Sequence, residues 1–199
     1  MLERRAAKAG SEIPFWGLVF GVVASASFGW FAPQFEARVG QPAVDLDGAS
    51  LPARTLSLIA SYGAAGRKGY LVFLSLDCLV PVAGSLLLLR LYYATTRRWA
   101  WTKLQSRTLV AIGVLPALAD LIENTLYALL AVLYPRHAVL FAELAYAATL
   151  LKLASASLSL LTLLLLVGLW LRAHATRRRL AAATGRVGVR AATARERSQ

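Results

Sequence analysis

Two acids and an amide interrupt an apolar run in ADLIENTLYALL, residues 119–130, where Asp120, Glu123 and Asn124 stand at helical spacing. At 100° per residue these three side chains and Tyr127 fall on one face of a helix. A carboxyl group held away from water can keep a proton, contact a cation or act in acid–base catalysis. This face is therefore the first candidate for chemistry in the chain.

A further acid, Asp77, lies in the apolar run GYLVFLSLDCLVPVAGSL. Pro81 has no backbone N–H, so the carbonyl group of Asp77 loses its helical donor. Carboxylate and freed carbonyl predict an acceptor-rich spot for a proton, a water or a cation, as in the broken helices of transporters. Lys152, in a later apolar run, is the base expected to neutralise one of the carboxylates.

Such polar residues need helices around them that exclude lipid, and the composition of the chain supplies those helices. The chain has 199 residues, 58% of them hydrophobic, and its mean hydropathy is +0.57, which is too apolar for an ordinary soluble domain. Because about 20 helical residues span the hydrocarbon core, we predict an all-α, polytopic transmembrane four-helix bundle over 13–171. Its helices are expected at about 13–32, 70–93, 109–133 and 139–171.

The first apolar run also has an alternative interpretation as a cleaved signal peptide. LERRAAK would be its basic region, and ASA at 24–26 would be its cleavage site. Phe28, Trp30 and Phe31 continue the run past that site, which favours a helix that is retained.

Basic residues precede the first predicted helix, fill the second connection and follow the last helix. The positive-inside rule puts these segments on the cytoplasmic side of the cell (inner) membrane. The segment 1–12 is then a cytoplasmic N-terminus, 33–69 an external loop over the outer face, and 172–199 a basic, disordered cytoplasmic tail. Anionic lipid head groups are the partners expected for the basic segments.

Several classes of site are disfavoured. The net charge of +12 is accounted for by residues next to the membrane, so no nucleic-acid partner is required. Cys78 is the single cysteine and cannot form a disulfide or a CxxC motif within one chain. His137 and His174 lie at opposite membrane surfaces, and no Walker-type loop or HExxH motif is present. We therefore predict neither a metal site nor a cofactor.

The first predicted helix carries a stripe of small residues at a period of four. Such a stripe permits close approach of another helix. It either packs the first helix on the rest of the bundle or mediates a homodimer. The residues are Gly17, Gly21, Ser25 and Gly29.

Two motifs resemble a pattern in a group of small bacterial four-helix integral membrane proteins to which no activity is assigned. A GR-x-x-Y stretch precedes an Asp and a Pro in one helix, and D-x-x-E-N stands in a later one. The resemblance implies a choice of residues without a function, and it places Arg67 at the outer end of the second helix, where it would recruit an anionic head group toward the acids. The matching residues are Gly66, Arg67, Tyr70, Asp77, Pro81, Asp120, Glu123 and Asn124.

These residues predict a buried acidic pocket that binds or conducts a proton, a cation or a small amphiphilic ligand. One alternative is a membrane-embedded enzyme that uses acid–base chemistry on a lipid-like substrate. Another is a structural or accessory subunit, in which the polar groups are interhelical hydrogen bonds worth about 0.6 kcal/mol each. The predicted pocket consists of Asp77, Asp120, Glu123, Asn124, Tyr127, Lys152 and Arg67.

Overall fold

The computed structural model describes residues 2–47, 51–96 and 102–196, and side chains within 12–47, 51–96 and 102–176. All regular elements in this part of the chain are helical. They are α1 (Leu2–Ala24), a π-helix (Ser25–Phe31), α2 (Ala32–Val39), a 3-10 helix (Val44–Leu46), α3 (Pro52–Ser61), α4 (Gly63–Asp77), α5 (Leu79–Thr96), α6 (Lys103–Leu133) and α7 (Ala138–Glu196).

Four helical stretches in the described residues are long and apolar enough to cross a membrane: Glu12–Val39, Gly63–Thr96, Lys103–Leu133 and Ala138–Thr176. At most 28% of the residues in the most apolar window of each stretch are buried. Their apolar side chains therefore face outward, as they do when lipid is the solvent. The predicted all-α transmembrane four-helix bundle is confirmed.

The four stretches run alternately up and down. The α6 helix packs along α7 and α5, and α5 packs along α1. We call the end of the bundle that carries residues 40–47, residues 51–62 and the turn 134–137 the loop end, and the opposite end, where α6 begins, the tail end. At the tail end Thr102 and Gln105 form a capping box that starts α6.

The first stretch continues past the predicted boundary at residue 32. The helix widens into the π-helix and then resumes as α2, with Pro33 directly after the π-helix, where a residue without an N–H interrupts the helical hydrogen-bond ladder. Gly40 ends α2 in the left-handed region, at φ 75°, as helix C-termini commonly do.

The second stretch begins at Gly63 instead of residue 70, because Gly63 at φ 62° turns the chain from α3 into α4 without a steric penalty. It is interrupted at Cys78, between α4 and α5. This break is the one expected from Pro81, and it leaves Asp77 at the end of a helix in the middle of the span.

Only the middle of the segment predicted as an external loop, 33–69, lies outside the four stretches, and its described residues 40–47 and 51–62 form a largely helical cap on the loop end. Its residues Val44, Leu58 and Ile59 are at most 1% exposed, and they share one apolar core with residues of α4, α6 and α7. Phe35 and Tyr62 complete an aromatic cluster with rings of α4. The cap is thus held by its own buried side chains.

Close helix approach near the tail end depends on Gly113, as its small size suggests. A Cβ atom at Gly113 would lie 2.8 Å from Leu89 Cδ2. Beside it the Ser159 hydroxyl donates to the Ile112 carbonyl at 2.5 Å, and the Tyr92 hydroxyl donates to the Ser159 carbonyl at 2.7 Å.

The glycines of the small-residue stripe, which runs from α1 into the π-helix, do not pack on the bundle, so that interpretation of the stripe was wrong. A Cβ atom added at Gly17, Gly21 or Gly29 would meet nothing within 4 Å. Instead α1 contacts α5 through Phe20, whose ring would lie 3.2 Å from a Cβ atom at Gly84. The homodimer stays a prediction for the outward-facing stripe.

The α7 helix runs on into the basic segment 172–199, which the sequence predicts as a disordered cytoplasmic tail, and it ends at Glu196. Alanine and arginine are frequent in this segment, and both are strong helix formers.

Candidate functional site

A cleft of about 270 Å³ lies between α1 and α6, with α5 as its floor. Four of its lining residues are ionisable: Asp45, Asp77, Asp120 and Lys152. The others include the aromatic and apolar side chains of Phe20, Phe28, Leu46, Val80, Pro81, Leu88 and Pro116.

The cleft lies near the middle of the spans. At 1.5 Å per residue, Asp120 is about 20 Å along α6 from Leu133 and about 26 Å from Lys103. Asp77 is about 21 Å from the start of α4 at Gly63. Charged groups at this depth require partners within the protein.

Lys152 supplies one such partner, and it serves two acids at once. Its Nζ atom is 2.9 Å from Asp120 Oδ1 and is also ion-paired with Glu123. The Glu123 side chain is 1% exposed, whereas those of Asp120 and Lys152 are 13% and 24% exposed. Lys152 and Asp120 therefore face the cleft, and Glu123 lies behind them.

Glu123 is held from its other side by hydroxyl groups. The Thr149 hydroxyl donates to Glu123 Oε1, and the Tyr127 hydroxyl lies 3.4 Å from Thr149 Oγ1. Glu123, Thr149 and Tyr127 are all buried. This chain of polar groups fixes the position of the carboxylate that anchors Lys152.

Asp77 has no basic partner among the described side chains, and its two oxygens accept from neutral donors. The Ser27 hydroxyl donates to Oδ1 at 3.1 Å, and Asn124 Nδ2 donates to Oδ2 at 3.2 Å. Ser27 reaches Asp77 because it is the buried residue of the π-helix. These bonds orient the carboxyl group without cancelling its charge.

Asp45 comes from outside the spans, in the 3-10 helix of the cap. Its Oδ1 atom accepts a hydrogen bond of 3.1 Å from the Tyr70 hydroxyl. Burial, and then the negative charge of Asp77, raise the pKa of Asp45 to about 7, against the opposing effects of the Tyr70 hydrogen bond and Lys152. Both Asp45 and Asp77 line the cleft, and neither forms an ion pair with a described base.

The predicted site residues therefore divide into three groups. Asp77, Asp120 and Lys152 line the cleft. Glu123, Asn124 and Tyr127 are buried behind its wall and hold the first group in place. Arg67 is not brought to the acids: its guanidinium lies over the Tyr134 ring, 5.0 Å from the centroid.

Three polar residues of the site escaped sequence reasoning. Asp45 lies in the segment predicted as an external loop, 33–69, although its apolar neighbour Val44, which is 1% exposed, is a signal that part of the segment is buried. Ser27 lies in an apolar run whose π-helical turn changes which residues face inward. Thr149 is three residues before Lys152 and so shares its helix face, a spacing that predicts their proximity.

The fold and the cleft define the class of protein: an all-α, multi-pass membrane protein with a largely apolar cleft that carries three acids and one base. In comparisons with known proteins, no family model, no curated protein and no solved structure matches the chain. Its function has therefore to be inferred from the geometry of its own residues.

Proposed function

We propose that this protein binds a small organic cation with an apolar body in the cleft between α1 and α6. The ammonium group of the ligand would lie between Asp45 and Asp77, and its apolar part would contact the walls. This is a specific form of the buried acidic pocket expected from the sequence.

The balance of charge in the cleft carries the proposal. Lys152 is shared by Asp120 and Glu123, so its charge is already committed. Asp45 and Asp77 accept only from hydroxyl and amide donors. A carboxylate withdrawn from water is costly unless a positive group pairs with it, and a bound cation would be that group.

The apolar lining favours an organic cation. Phe20 and Phe28 are aromatic wall residues, and aromatic faces attract ammonium groups. The volume of about 270 Å³ is slightly below the about 300–1,000 Å³ typical of ligand pockets, which supports a small ligand. Among the described residues, no group of three or more His, Cys, Asp or Glu side chains is arranged to hold a metal ion.

A purely structural role explains only part of the site. Hydrogen bonds between helices account for Ser27, Asn124 and the Lys152 ion pairs. Asp45 is different, because it belongs to the cap and is not needed to join two spanning helices. Its presence beside Asp77 brings two acids together, which a structural role alone would disfavour.

We place the protein in the inner membrane of the cell. In the proposed topology the tail end faces the cytoplasm, and the loop end faces the opposite, outer side of that membrane. The basic bias of the N-terminus, the connection between α5 and α6, and the segment after residue 171 supports this orientation. The cleft, capped by residues 43–47, would then be reached from the outside.

The proposal is tested by calorimetric titration of the protein in lipid nanodiscs with phenethylammonium and, separately, with the uncharged phenethyl alcohol. We expect the cation to bind and the alcohol to bind at least about tenfold more weakly, because a hydrogen bond to a charged group contributes about 1.5–3 kcal/mol. Asp77→Asn should weaken binding of the cation by about tenfold or more. The matched control is Glu143→Gln, which changes an exposed acid of α7 and should leave the affinity unchanged.

Equal affinities for cation and alcohol would reject the proposal, as would an unchanged cation affinity in Asp77→Asn. Asp45→Asn provides an independent check, since Asp45 lies outside the spans and its replacement leaves the interhelical bonds of Asp77 in place. Loss of cation selectivity in that variant as well would support a ligand between the two carboxylates.

A further inference from the structure

A second cavity, of about 360 Å³, lies on the outside of the bundle between α2 and α4. We call it the groove. Its lining includes the rings of Trp30, Phe31, Phe35 and Phe73, together with Arg38 and Gly69. It shares no lining residue with the acidic cleft, so it is a separate feature of the surface.

The groove changes in polarity along its length. The α2 helix runs toward the loop end and stops at Gly40, so Arg38 lies at that end of the groove. Trp30 is eight residues earlier, about 12 Å deeper along the helix. The charged end of the groove thus lies at the membrane surface, and its aromatic end lies within the span, which is the polarity of a lipid molecule in the bilayer.

The charge of Arg38 is available to a ligand. Two other arginines are already occupied: Arg54 is 3.1 Å from Asp47, and Arg90 is 3.0 Å from Glu12. Arg38 is exposed, and no acid of the described chain forms an ion pair with it. An arginine side chain in this position can bind a phosphate group with two parallel hydrogen bonds.

We infer that the groove is a binding site for one anionic phospholipid, with the phosphate against Arg38 and an acyl chain along the aromatic floor. The inference does not depend on the cation site. Phe35 and Phe73 are at most 6% exposed, so the floor is a fixed surface formed by the fold.

Gly69 keeps the groove open and offers a way to fill it. A Cβ atom at Gly69 would lie 3.8 Å from the Phe35 ring, which is an ordinary van der Waals contact. A longer side chain at residue 69 therefore fits without a clash, and it would fill part of the groove. Gly66 cannot serve in the same way, because its Cβ atom would be 3.0 Å from Tyr62 Cβ. Val72 lines the groove and is 57% exposed, so a larger side chain there also enters the groove without disturbing the core.

Native mass spectrometry of the detergent-purified protein tests this site with dioleoyl-phosphatidylglycerol and dioleoyl-phosphatidylcholine, which differ only in the head group. We expect one retained phosphatidylglycerol, with about tenfold weaker retention of phosphatidylcholine, because the choline ammonium offsets the phosphate charge and repels the Arg38 guanidinium. Arg38→Gln should abolish that preference. Gly69→Leu and Val72→Trp should reduce retention of both lipids, because they fill the place of the acyl chain.

Matched controls separate this site from general lipid adhesion. Arg136→Gln removes an exposed base at the same end of the bundle, and Gly168→Leu enlarges a glycine whose surroundings are open; both should behave as the unaltered protein. Equal retention of the two lipids by the unaltered protein would overturn the inference, and so would an unchanged preference in Arg38→Gln. Retention unaffected by both Gly69→Leu and Val72→Trp would show that the head group binds without the groove and would also reject it.

Discussion

At the scale of single residues, one base in the bundle stabilises two acids. Lys152 lies between Asp120 and Glu123, and hydroxyl groups hold Glu123 from behind. Removing one member of a buried ion pair leaves an uncompensated charge, which costs more than the pair contributes. Replacing Lys152 should therefore destabilise the protein by more than the ion pairs themselves contribute.

Lys152→Met is expected to lower the free energy of unfolding by an amount near the lower end of about 3–5 kcal/mol, because Lys152 is 24% exposed. Lys152→Met combined with Glu123→Gln should recover much of this loss, since the most deeply buried carboxylate is then uncharged. Unfolding in mixed micelles of increasing dodecyl sulfate content measures both values. If Lys152→Met with Glu123→Gln is no more stable than Lys152→Met alone, Glu123 is not the partner whose charge matters most, and Asp120 is. The matched comparison is Lys152→Met with Asp120→Asn.

At the scale of elements, the 3-10 helix at Val44–Leu46 connects the cap to the cleft. It is fixed by buried Val44 and by the hydrogen bond from Tyr70 to Asp45. Asp77 repels Asp45 because both side chains are acids, and Lys152 and Asp120 line the same cleft. The element can therefore respond to the protonation of one side chain.

The docking of this segment should weaken as the pH rises. The pKa of Asp45 is raised from 3.8 to about 7 by burial first and by Asp77 second, so the docked segment binds the proton more tightly than the undocked one. Docking is then fully favourable below about pH 4, where both states are protonated, and loses stability as the pH rises through 7. Asp45→Asn should remove this dependence.

A cysteine at Ala43, which is 1% exposed, reports undocking by its rate of reaction with a maleimide in a Cys78→Ser background. The ratio of its rate to that of the same cysteine in Asp45→Asn cancels the intrinsic pH dependence of the thiol. We expect the ratio to rise several-fold between pH 5 and pH 9. A constant ratio would mean that ionisation of Asp45 does not control the segment.

At the scale of the whole molecule, the sequence predicts what depends on local pattern. Hydropathy over about 20 residues locates the four spans, and helical spacing places Asp120, Glu123 and Asn124 on one inward face. The contact of Asp45 with Tyr70 joins residues 25 positions apart, and no local pattern specifies such a contact. For the same reason the sequence left two interpretations of the small-residue stripe on the first spanning stretch, since small residues permit close packing without specifying the partner.

The orientation of the whole molecule is the remaining prediction, and cysteine labelling tests it. Ala53 is exposed on α3 at the loop end, whereas Ala175 is about 55 Å along α7 from Ala138, well beyond the about 30 Å of hydrocarbon. Ala53→Cys and Ala175→Cys are each introduced as the single cysteine in a Cys78→Ser background. A membrane-impermeant maleimide applied to intact cells should label residue 53. The same reagent should label residue 175 only after the membrane is opened. The basic segments at the tail end are the physical reason, because they resist transfer to the outside. Labelling of residue 175 in intact cells together with protection of residue 53 would reverse the topology and would put the entrance of the acidic cleft on the cytoplasmic side.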